Sequence, residues 1–316
     1  MLNENFKLIL ITLFIGNLFL NYSCKKKVPS SVEEIPTTVK VVISKVEKDT
    51  SLFKIILEKD MTIDEYFEYI NGIIERYDSL VPYELTEYLL VHANDWLIDT
   101  FAHSDYYFQM KKGNFIYNQK SHIVLKKLDT LYIPNEKLAD SIQQRISSFW
   151  IDINIPEYKL WLYEGDSILF TFPIRVGQVG KRFMSTVNRE VDMKTKTGIG
   201  HIAKINHNPR WQNPVNAHEY KTTLRDDLNR TLVPRIPFLN PEINGKRWGQ
   251  LIHPTTNPET LGKAYSNGCI GTSEGDAWRI YFHAPISTKV NIRYDLEIKK
   301  NDVTFRLRDI YGYAKK

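Results

Sequence analysis

The sequence predicts a mainly β region over residues 148–296, preceded by a smaller region that mixes helices and strands. Two strand-like runs, 158–163 and 167–176, are separated by Glu164-Gly165-Asp166, which is typical of a hairpin turn. Long helical patterns are scarce in this region, and the clearest spans 273–282. These patterns favour a sheet-rich second region that carries one short helix.

The first region, residues 45–147, begins with short apolar pieces and continues with helical patterns. An apolar face repeats at helical spacing from Ile63 to Tyr77, and Thr62-x-x-Glu65 predicts a capping box at its start. A second helix is predicted after Pro82, and a short helix over 140–149 connects this region to the next. The sequence therefore predicts an α+β N-terminal domain.

The N-terminus predicts export. Residues 8–20 form an apolar stretch behind a short head with Lys7, and this stretch is too short to span a membrane comfortably as a helix. Because Ser23 directly precedes Cys24, residues 1–24 resemble a bacterial lipoprotein signal peptide whose cysteine becomes the acylated N-terminus. The alternative is an uncleaved anchor. Either interpretation places most of the chain outside the cytoplasm, and we expect a lipid-anchored protein of the cell envelope, in the periplasm.

Residues 25–44 are rich in lysine, proline, serine and threonine and lack aromatic residues, which is typical of a tether. Part of the formal net charge of +5 lies in Lys25–Lys27, so we expect no nucleic acid partner. The remaining chain is long enough for two compact domains, because 42% of the 316 residues are hydrophobic and 12% are aromatic.

The strongest chemical signal is Cys269, which lies sixteen positions after His253 in the sequence. A thiol attacks a carbonyl as its thiolate, and His253 is a candidate base for its proton. Gly268 permits a tight turn, and the N–H groups of Gly268 and Cys269 are candidate oxyanion donors. The alternative for an isolated cysteine is a small buried apolar side chain. With Cys24 in the export segment, no disulfide framework is expected.

The segment from Ile252-His253-Pro254 to Ser266-Asn267-Gly268-Cys269-Ile270 resembles the active-site signature of the L,D-transpeptidase (YkuD-type) catalytic domain. That family has a histidine, a spacer with an internal glycine, and then Ser-His-Gly-Cys-Ile-Arg. Together with the flanking matches the resemblance covers about 145 residues, and these matches lie at 151–156, 159–163, 174–177, 195–198, 208–211, 276–277 and 287–292. The resemblance implies a YkuD-like β-sandwich with a short helix after the cysteine, over 148–296, and leaves 297–316 as a C-terminal extension.

Two residues depart from that signature. Asn267 replaces the second histidine of the family and cannot titrate. Gly271 replaces the usual arginine, so that a fixed cation that could hold a substrate carboxylate is missing. Arg210, Arg235 and Arg247 are candidates to replace it, although arginines outside a bidentate geometry are mostly solvated.

The resemblance implies a transferase of peptidoglycan biosynthesis that contributes to cell-wall organisation and cell shape. Cys269 would attack a stem tetrapeptide at the carbonyl before the terminal D-alanine, while His253 acts as base and then as acid. D-alanine would leave, and an acyl-enzyme would remain. An amine of a second stem would then give a 3→3 cross-link, water would give carboxypeptidation, and an amine on a protein would attach that protein to the wall.

Candidate substrate-binding residues lie around the cysteine and in one upstream segment, namely Tyr265, Ser266, Asn267, Gly271 and Trp211. For the aromatic residues, a place in the core is the alternative. No cofactor and no metal are expected, because the remaining histidines of the second region lack the spacing of metal ligands.

Other interpretations remain open. The departures at Asn267 and Gly271 are compatible with an inactive lipoprotein that only binds peptidoglycan, and the cysteine chemistry is compatible with a peptidase. Residues 129–134 resemble the end of a LysM peptidoglycan-binding module, with Leu128 in place of its glycine. A helical spacer or a cap over the substrate groove is the alternative for that N-terminal domain.

Overall fold

The computed structural model describes residues 51–301 and 303–315 of the chain. The predicted signal peptide, including the lipidation site Cys24, and the predicted tether over 25–44 lie outside these residues. Within the described ranges, no helix combines the length and the apolar character that a membrane crossing requires.

The first part of the described chain combines short strands with helices, as the sequence predicts. Its strands are β1 (Ser51–Ile56), β2 (Met61–Thr62), β3 (Ile123–Leu125) and β4 (Thr130–Pro134). Its helices are α1 (Ile63–Tyr77), α2 (Glu87–Ala93), α3 (Trp96–Ala102), α4 (Tyr106–Lys111) and α5 (Glu136–Ser147). Strand β1 pairs antiparallel with β4, and β2 pairs antiparallel with β3.

Two helix starts show how capping sets the boundaries. Helix α1 begins with the predicted capping box, in which the Glu65 carboxylate accepts hydrogen bonds from Thr62 N (3.0 Å) and Thr62 Oγ1 (2.9 Å). Helix α5 begins before the predicted residue 140, because the Asn135 side chain caps it by accepting from Leu138 N at 3.0 Å. The predicted end of this helix at 149 is also wrong, since Phe149 already belongs to a strand.

The second part of the described chain is mainly β, which confirms the predicted fold class. Its strands are β5 (Phe149–Asn154), β6 (Lys159–Glu164), β7 (Ser167–Pro173), β8 (Val176–Gly177), β9 (Lys181–Met184), β10 (Arg189–Asp192), β11 (Gly198–Asn206), β12 (Thr222–Leu224), β13 (Arg230–Leu232), β14 (Phe238–Ile243), β15 (Ile252–Pro254), β16 (Ala264–Ser266), β17 (Ile270–Thr272), β18 (Lys289–Arg293), β19 (Glu297–Lys300) and β20 (Val303–Arg306). Its helix is α6 (Glu274–His283). The predicted hairpin is formed by β6 and β7.

Eight strands form one mixed sheet in the order β17-β15-β14-β11-β18-β5-β6-β7. The pairs β15–β17 and β18–β5 are parallel, and the other neighbours are antiparallel. The short strands β8 and β16 pair parallel beside this sheet. The candidate site therefore lies at the β15–β17 edge of the sheet, where the chain around Cys269 enters β17.

Helix α6 packs against the N-terminal helices through aromatic side chains. The Phe101 ring of α3 lies 4.6 Å from the Trp278 ring and 5.2 Å from the Phe282 ring, measured between centroids. All three side chains are buried, so the two regions that the sequence separates share one hydrophobic core. The described residues accordingly fall within one compact unit.

A buried ion pair of the second region lies near the start of α6 and contacts Tyr106 of the first region. Arg225 and Glu274 bond through Nη1 and Oε1, and each side chain is 1% exposed. Arg225 Nε also donates to Thr231 Oγ1 (2.8 Å), and its guanidinium lies 4.4 Å from the Tyr106 ring centroid. Glu274 accepts a further hydrogen bond from Tyr106 N (3.1 Å). This cluster connects the β12–β13 hairpin, α4 and α6.

The segment predicted as a C-terminal extension returns to the sheet through Tyr311, which is buried. The Tyr311 hydroxyl donates to Gly177 O (2.7 Å) and accepts from Thr195 N (3.1 Å). Its own N–H donates to the Tyr294 hydroxyl (2.7 Å), which in turn donates to Asp309 Oδ1 (2.7 Å). Tyr311 is thus a structural part of the second region.

Two buried histidines lie between α2 and α6. The rings of His92 and His283 are 4.9 Å apart, and the residues are 8% and 5% exposed. Each ring donates to a backbone carbonyl, His92 Nε2 to Phe282 O (2.9 Å) and His283 Nδ1 to Arg279 O (2.7 Å). Burial lowers the pKa of His92 to about 3 and that of His283 to about 4. The folded protein therefore holds both rings neutral.

We expect acid to destabilise the protein through this pair. Above pH 6.5 the full stability is present, and it is lost as the pH falls towards the folded pKa values, because the unfolded histidines bind protons first. At pH 5 each histidine should cost about 2 kcal/mol of unfolding free energy. Urea unfolding at pH 7 and pH 5 measures this loss, and His92→Gln should reduce it by about the contribution of one histidine.

The matched control for this prediction is His201→Gln, at an exposed position of β11. Burial raises the pKa of Glu87 to about 7, which favours the folded state as the pH falls, but this effect is common to the wild type and both variants. An equal pH 7 to pH 5 difference in all three proteins would contradict the prediction.

Candidate active site

The pairing of β15 with β17 brings the predicted base next to the predicted nucleophile. The register places His253 opposite Gly271, two residues after Cys269 in the sequence. Because side chains alternate along a strand, the Cys269 side chain lies on the same face as positions 271 and 253. His253 and Cys269, which the sequence predicts as base and nucleophile, therefore lie in neighbouring segments of the sheet edge although sixteen positions separate them in the sequence.

The turn before the cysteine is fixed by hydroxyl groups. Ser266 Oγ accepts from Gly268 N (3.2 Å) and donates to Cys269 O (2.6 Å). Thr195 Oγ1 donates to Gly268 O (3.0 Å) and accepts from Gly177 N (2.8 Å). Gly268 has a φ of 111°, a conformation that glycine adopts without strain. Ser266, predicted as a substrate-binding residue, is buried and holds the shape of this turn.

The two predicted oxyanion donors differ in this structure. The Gly268 N–H is engaged with Ser266 Oγ, whereas the Cys269 N–H donates to no acceptor in the described part of the chain. A donor that has no competing acceptor is available to a substrate oxygen on which negative charge develops. Cys269 is therefore the better placed of the two donors.

The Cys269 thiol is free and lies among backbone groups. Its sulfur accepts a hydrogen bond from Leu251 N (3.4 Å) and lies 3.9 Å from Gly249 O, to which it donates. Burial raises the pKa of the thiol, and the Leu251 N–H and the charge of Arg175 oppose this rise by favouring the thiolate. The resting cysteine is consequently a neutral thiol at pH 7.

The His253 ring is held in the tautomer that a base requires. Its Nδ1 lies 2.7 Å from Pro254 O, and because a carbonyl only accepts, Nδ1 carries the proton and Nε2 keeps a free lone pair. Burial, with a smaller contribution from the charge of Arg175, lowers the pKa of His253 to about 3. The rings of Phe238 and Trp211 lie 4.8 Å and 6.3 Å from the imidazole. Trp211, predicted as a groove wall, therefore borders the base.

Arg175 is the residue of the site that the sequence analysis missed. It forms an isolated antiparallel bridge with Gly271, in which Arg175 N donates to Gly271 O (2.9 Å) and Gly271 N donates to Arg175 O (3.0 Å). The Arg175 side chain lies over Gly271, since a Cβ atom built on that glycine would be 2.6 Å from Arg175 Nε. The glycine at a position where the family has an arginine was the signal that could have revealed it.

None of the three arginines proposed from the sequence fills this place. Arg235 Nη1 bonds Asp64 Oδ1 (2.7 Å), and its guanidinium lies 5.4 Å from the Phe67 ring, so that it holds α1. Arg210 and Arg247 are exposed and form no ion pair within the described residues. The cation of the site is therefore Arg175, from the segment between β7 and β8.

The other predicted site residues lie around the turn. Tyr265 is 63% exposed, and Asn267 accepts a hydrogen bond at Oδ1 from Gln178 Nε2 (3.4 Å). Gly271 lies beneath the Arg175 side chain. Among residues 51–301 and 303–315, no group of three or more histidine, cysteine, aspartate or glutamate side chains is placed to hold a metal ion.

A cysteine and a neutral histidine on neighbouring strands of a mainly β domain define a candidate cysteine acyltransferase. Residues 148–292 match the family model of the YkuD L,D-transpeptidase catalytic domain. This match lies over the same residues as the resemblance found in the sequence and confirms that resemblance.

This chain is also similar to one curated relative and to solved structures. The putative L,D-transpeptidase YkuD of Bacillus licheniformis is 26% identical over 163 residues, which cover 52% of this chain and 73% of the relative. An L,D-transpeptidase structure from Mycobacterium smegmatis is 12% identical with a TM-score of 0.31, over 46% of this chain and 58% of that one. One from Xylanimonas cellulosilytica is 11% identical with a TM-score of 0.33, over 76% and 97%.

Proposed function

We propose that this protein is an L,D-transpeptidase that acts on peptidoglycan stem peptides with Cys269 as nucleophile and His253 as general base. The observation that carries this proposal is the β15–β17 register, which pairs His253 with Gly271, two residues after Cys269, while the contact of Nδ1 with Pro254 O leaves the His253 Nε2 lone pair free. The match of residues 148–292 to the L,D-transpeptidase family model supports a peptidoglycan stem peptide as the substrate. The export predicted from the segment ending at Cys24 would bring the enzyme to the cell envelope.

The first half of the reaction forms an acyl-enzyme. The Cys269 Sγ–H proton passes to His253 Nε2 as the sulfur bonds the carbonyl carbon before the terminal D-alanine. The carbonyl oxygen becomes an oxyanion, to which the Cys269 N–H donates. When the tetrahedral intermediate collapses, the C–N bond breaks and His253 returns the proton to the departing amine. A thioester and free D-alanine result.

The second half transfers the acyl group. An amine of a second stem attacks the thioester, His253 Nε2 takes its proton, and the sulfur leaves and regains a proton from the imidazolium. The product is a 3→3 cross-link, whereas water in place of the amine gives a shortened stem. The same residues serve both halves, because the imidazole is neutral at the start of each half.

The protonation states of Cys269 and His253 in the empty site determine when the proton is transferred. Because burial raises the pKa of the Cys269 thiol and lowers that of His253, a thiolate–imidazolium pair is not the ground state of the site. Proton transfer therefore accompanies the attack on the substrate. This arrangement also keeps the thiol less reactive towards other electrophiles when the site is empty.

We expect intact-protein mass spectrometry to show an adduct after the protein is mixed with a stem tetrapeptide. Its mass should equal that of the tetrapeptide minus D-alanine, because the acyl group stays on the sulfur when the amine leaves. Cys269→Ala is the matched control, and it should bind the tetrapeptide without forming the adduct. A folded wild-type protein that forms no adduct and releases no D-alanine would refute the enzyme and favour a role in peptidoglycan binding.

A further inference from the structure

Arg175 and Gly271 form a complementary pair across two strands. Their backbones exchange two hydrogen bonds of 2.9 Å and 3.0 Å, so the positions are directly opposite. A Cβ atom at Gly271 would lie 2.6 Å from Nε and 2.7 Å from Cγ of Arg175. Any side chain at 271 would therefore displace the arginine. The absence of a side chain at 271 is what allows Arg175 to lie across the site.

The guanidinium of Arg175 has unused hydrogen-bonding capacity. Its Nη1 donates to Thr260 Oγ1 at 3.3 Å, while its Nε is buried without a partner in the described part of the chain. No carboxylate of the described residues lies within ion-pair distance of it. A guanidinium presents five N–H donors, and a buried donor without a partner is costly, so this group is suited to receive an anion.

The Arg175 side chain lies beside the candidate site, because its Nε would be 2.6 Å from a Cβ atom on Gly271, the residue paired with His253. Burial is the largest influence on the pKa of both reacting groups, raising that of the Cys269 thiol and lowering that of the His253 imidazole. The charge of Arg175 lowers the pKa of both groups. Cys269 and Tyr265 in turn oppose the lowering of the Arg175 pKa by burial. Arg175 thus lies within electrostatic reach of the nucleophile, the base and an exposed tyrosine at the rim of the site.

The proposed substrate carries an anion close to its scissile bond. Its scissile nitrogen belongs to the terminal D-amino acid, whose α-carboxylate is only two bonds farther along the chain. A cation close to the attacking thiol therefore meets this carboxylate when the scissile bond is in place. Carboxylates are also the groups that the planar fork of a guanidinium binds with two parallel hydrogen bonds.

We propose that Arg175, whose side chain occupies the space beside Gly271, binds the terminal carboxylate of the acyl donor. This assignment rests on the proposed transpeptidase function and makes Arg175 a specificity-determining residue. It selects donors that end at the residue after the scissile bond, because only these carry a carboxylate there. When the D-amino acid leaves, the anion leaves with it, and the acceptor amine enters beside a guanidinium that is again unpaired.

The test compares two acyl donors, the stem tetrapeptide with a free terminal carboxylate and the same peptide with a terminal amide. Hydrogen bonds to charged groups predict that the wild type acylates about 10- to 100-fold faster with the carboxylate. Arg175→Met should remove this preference by slowing the carboxylate donor alone. Arg175→Lys should keep part of it, because the charge remains but the bidentate geometry is lost.

Gly271 supplies the second arm of the test. Gly271→Ala should reduce the preference for the carboxylate donor in the same way. In an Arg175→Met background the same change should have little further effect, because both substitutions remove the same contact between Arg175 and the carboxylate. Moving the cation in Arg175→Ala/Gly271→Arg should restore at least part of the preference. Thermal unfolding of each variant separates this effect from a loss of structure.

The possible failures can be told apart. If the wild type forms no acyl-enzyme with either donor, the proposed function itself is refuted. If it acylates equally with both donors, the chemistry stands and the role of Arg175 is refuted. If Arg175→Met slows both donors equally and shifts thiol labelling to higher pH, the arginine serves the thiolate alone, and carboxylate binding is again refuted.

Discussion

His253→Gln is expected to slow acyl-enzyme formation by about 10²- to 10⁴-fold, the usual contribution of a general base. Glutamine keeps a donor for the Pro254 carbonyl but offers no basic nitrogen to the thiol. The rate of adduct formation, followed by mass spectrometry, measures the effect. His201→Gln, at an exposed position, is the matched control and should react at the wild-type rate.

The pH profile gives this prediction a second readout. Because the pKa of His253 is lowered to about 3, the imidazole stays neutral and able to accept a proton throughout the range from pH 5 to pH 8. The rate of the wild type should therefore not fall near pH 6.5, where an ordinary histidine becomes protonated. If His253→Gln reacted at the wild-type rate, another group would be the base, whereas a fall of the wild-type rate near pH 6.5 would show that the pKa of His253 is not lowered in the folded protein.

Arg225→Met is expected to lower the free energy of unfolding by about 3–5 kcal/mol, which makes it the most destabilising single change that we predict. The variant leaves the Glu274 carboxylate buried with Tyr106 N as its remaining hydrogen-bond donor. Burial already raises the pKa of Glu274, and the charge of Arg225 is the largest influence that opposes this rise. Urea unfolding at pH 7 measures the loss.

Two further variants test the cause of that loss. Arg225→Met/Glu274→Leu removes both charges, and it should regain most of the lost stability, because apolar replacements of a buried ion pair are often neutral. Lys59→Met breaks the exposed pair with Glu65 and should cost less than about 1 kcal/mol. An Arg225→Met protein as stable as the Lys59→Met protein would mean that the buried pair contributes little.

Local signals in the sequence predicted the local structure well. The capping box at Thr62 starts α1, and Ser273 Oγ caps α6 by accepting from Asp276 N (3.1 Å). These contacts join residues three positions apart, so residue type and spacing determine them. Position 128 shows the limit of such reasoning. The backbone of Leu128 lies in the left-handed region, with φ at 73°, and its side chain is 72% exposed. Glycine is the residue that adopts this conformation without strain, so the leucine gave no signal of it in the sequence.

Contacts between distant strands could not be predicted in this way. Strand β18 lies between β11 and β5 in the sheet, and no periodicity within any of these strands specifies that order. The place of Arg175 in the site could not be predicted for the same reason, because Arg175 pairs with Gly271 through an isolated bridge and not within a regular pair of strands. The predicted nucleophile and base were found because one family signature contains both, whereas Arg175 lies in a segment outside that signature.

The contacts of Tyr311 impose an order in time on the assembly of the site. Its hydroxyl fixes Gly177 and Thr195, and Thr195 fixes the turn that presents Cys269. A chain emerging from a ribosome or a translocation channel exposes Cys269 before Tyr311 has appeared. The residue that fixes this turn is therefore synthesised after the cysteine that the turn presents. Until the chain has grown past residue 311, the contacts of Tyr311 with Gly177 and Thr195 cannot form.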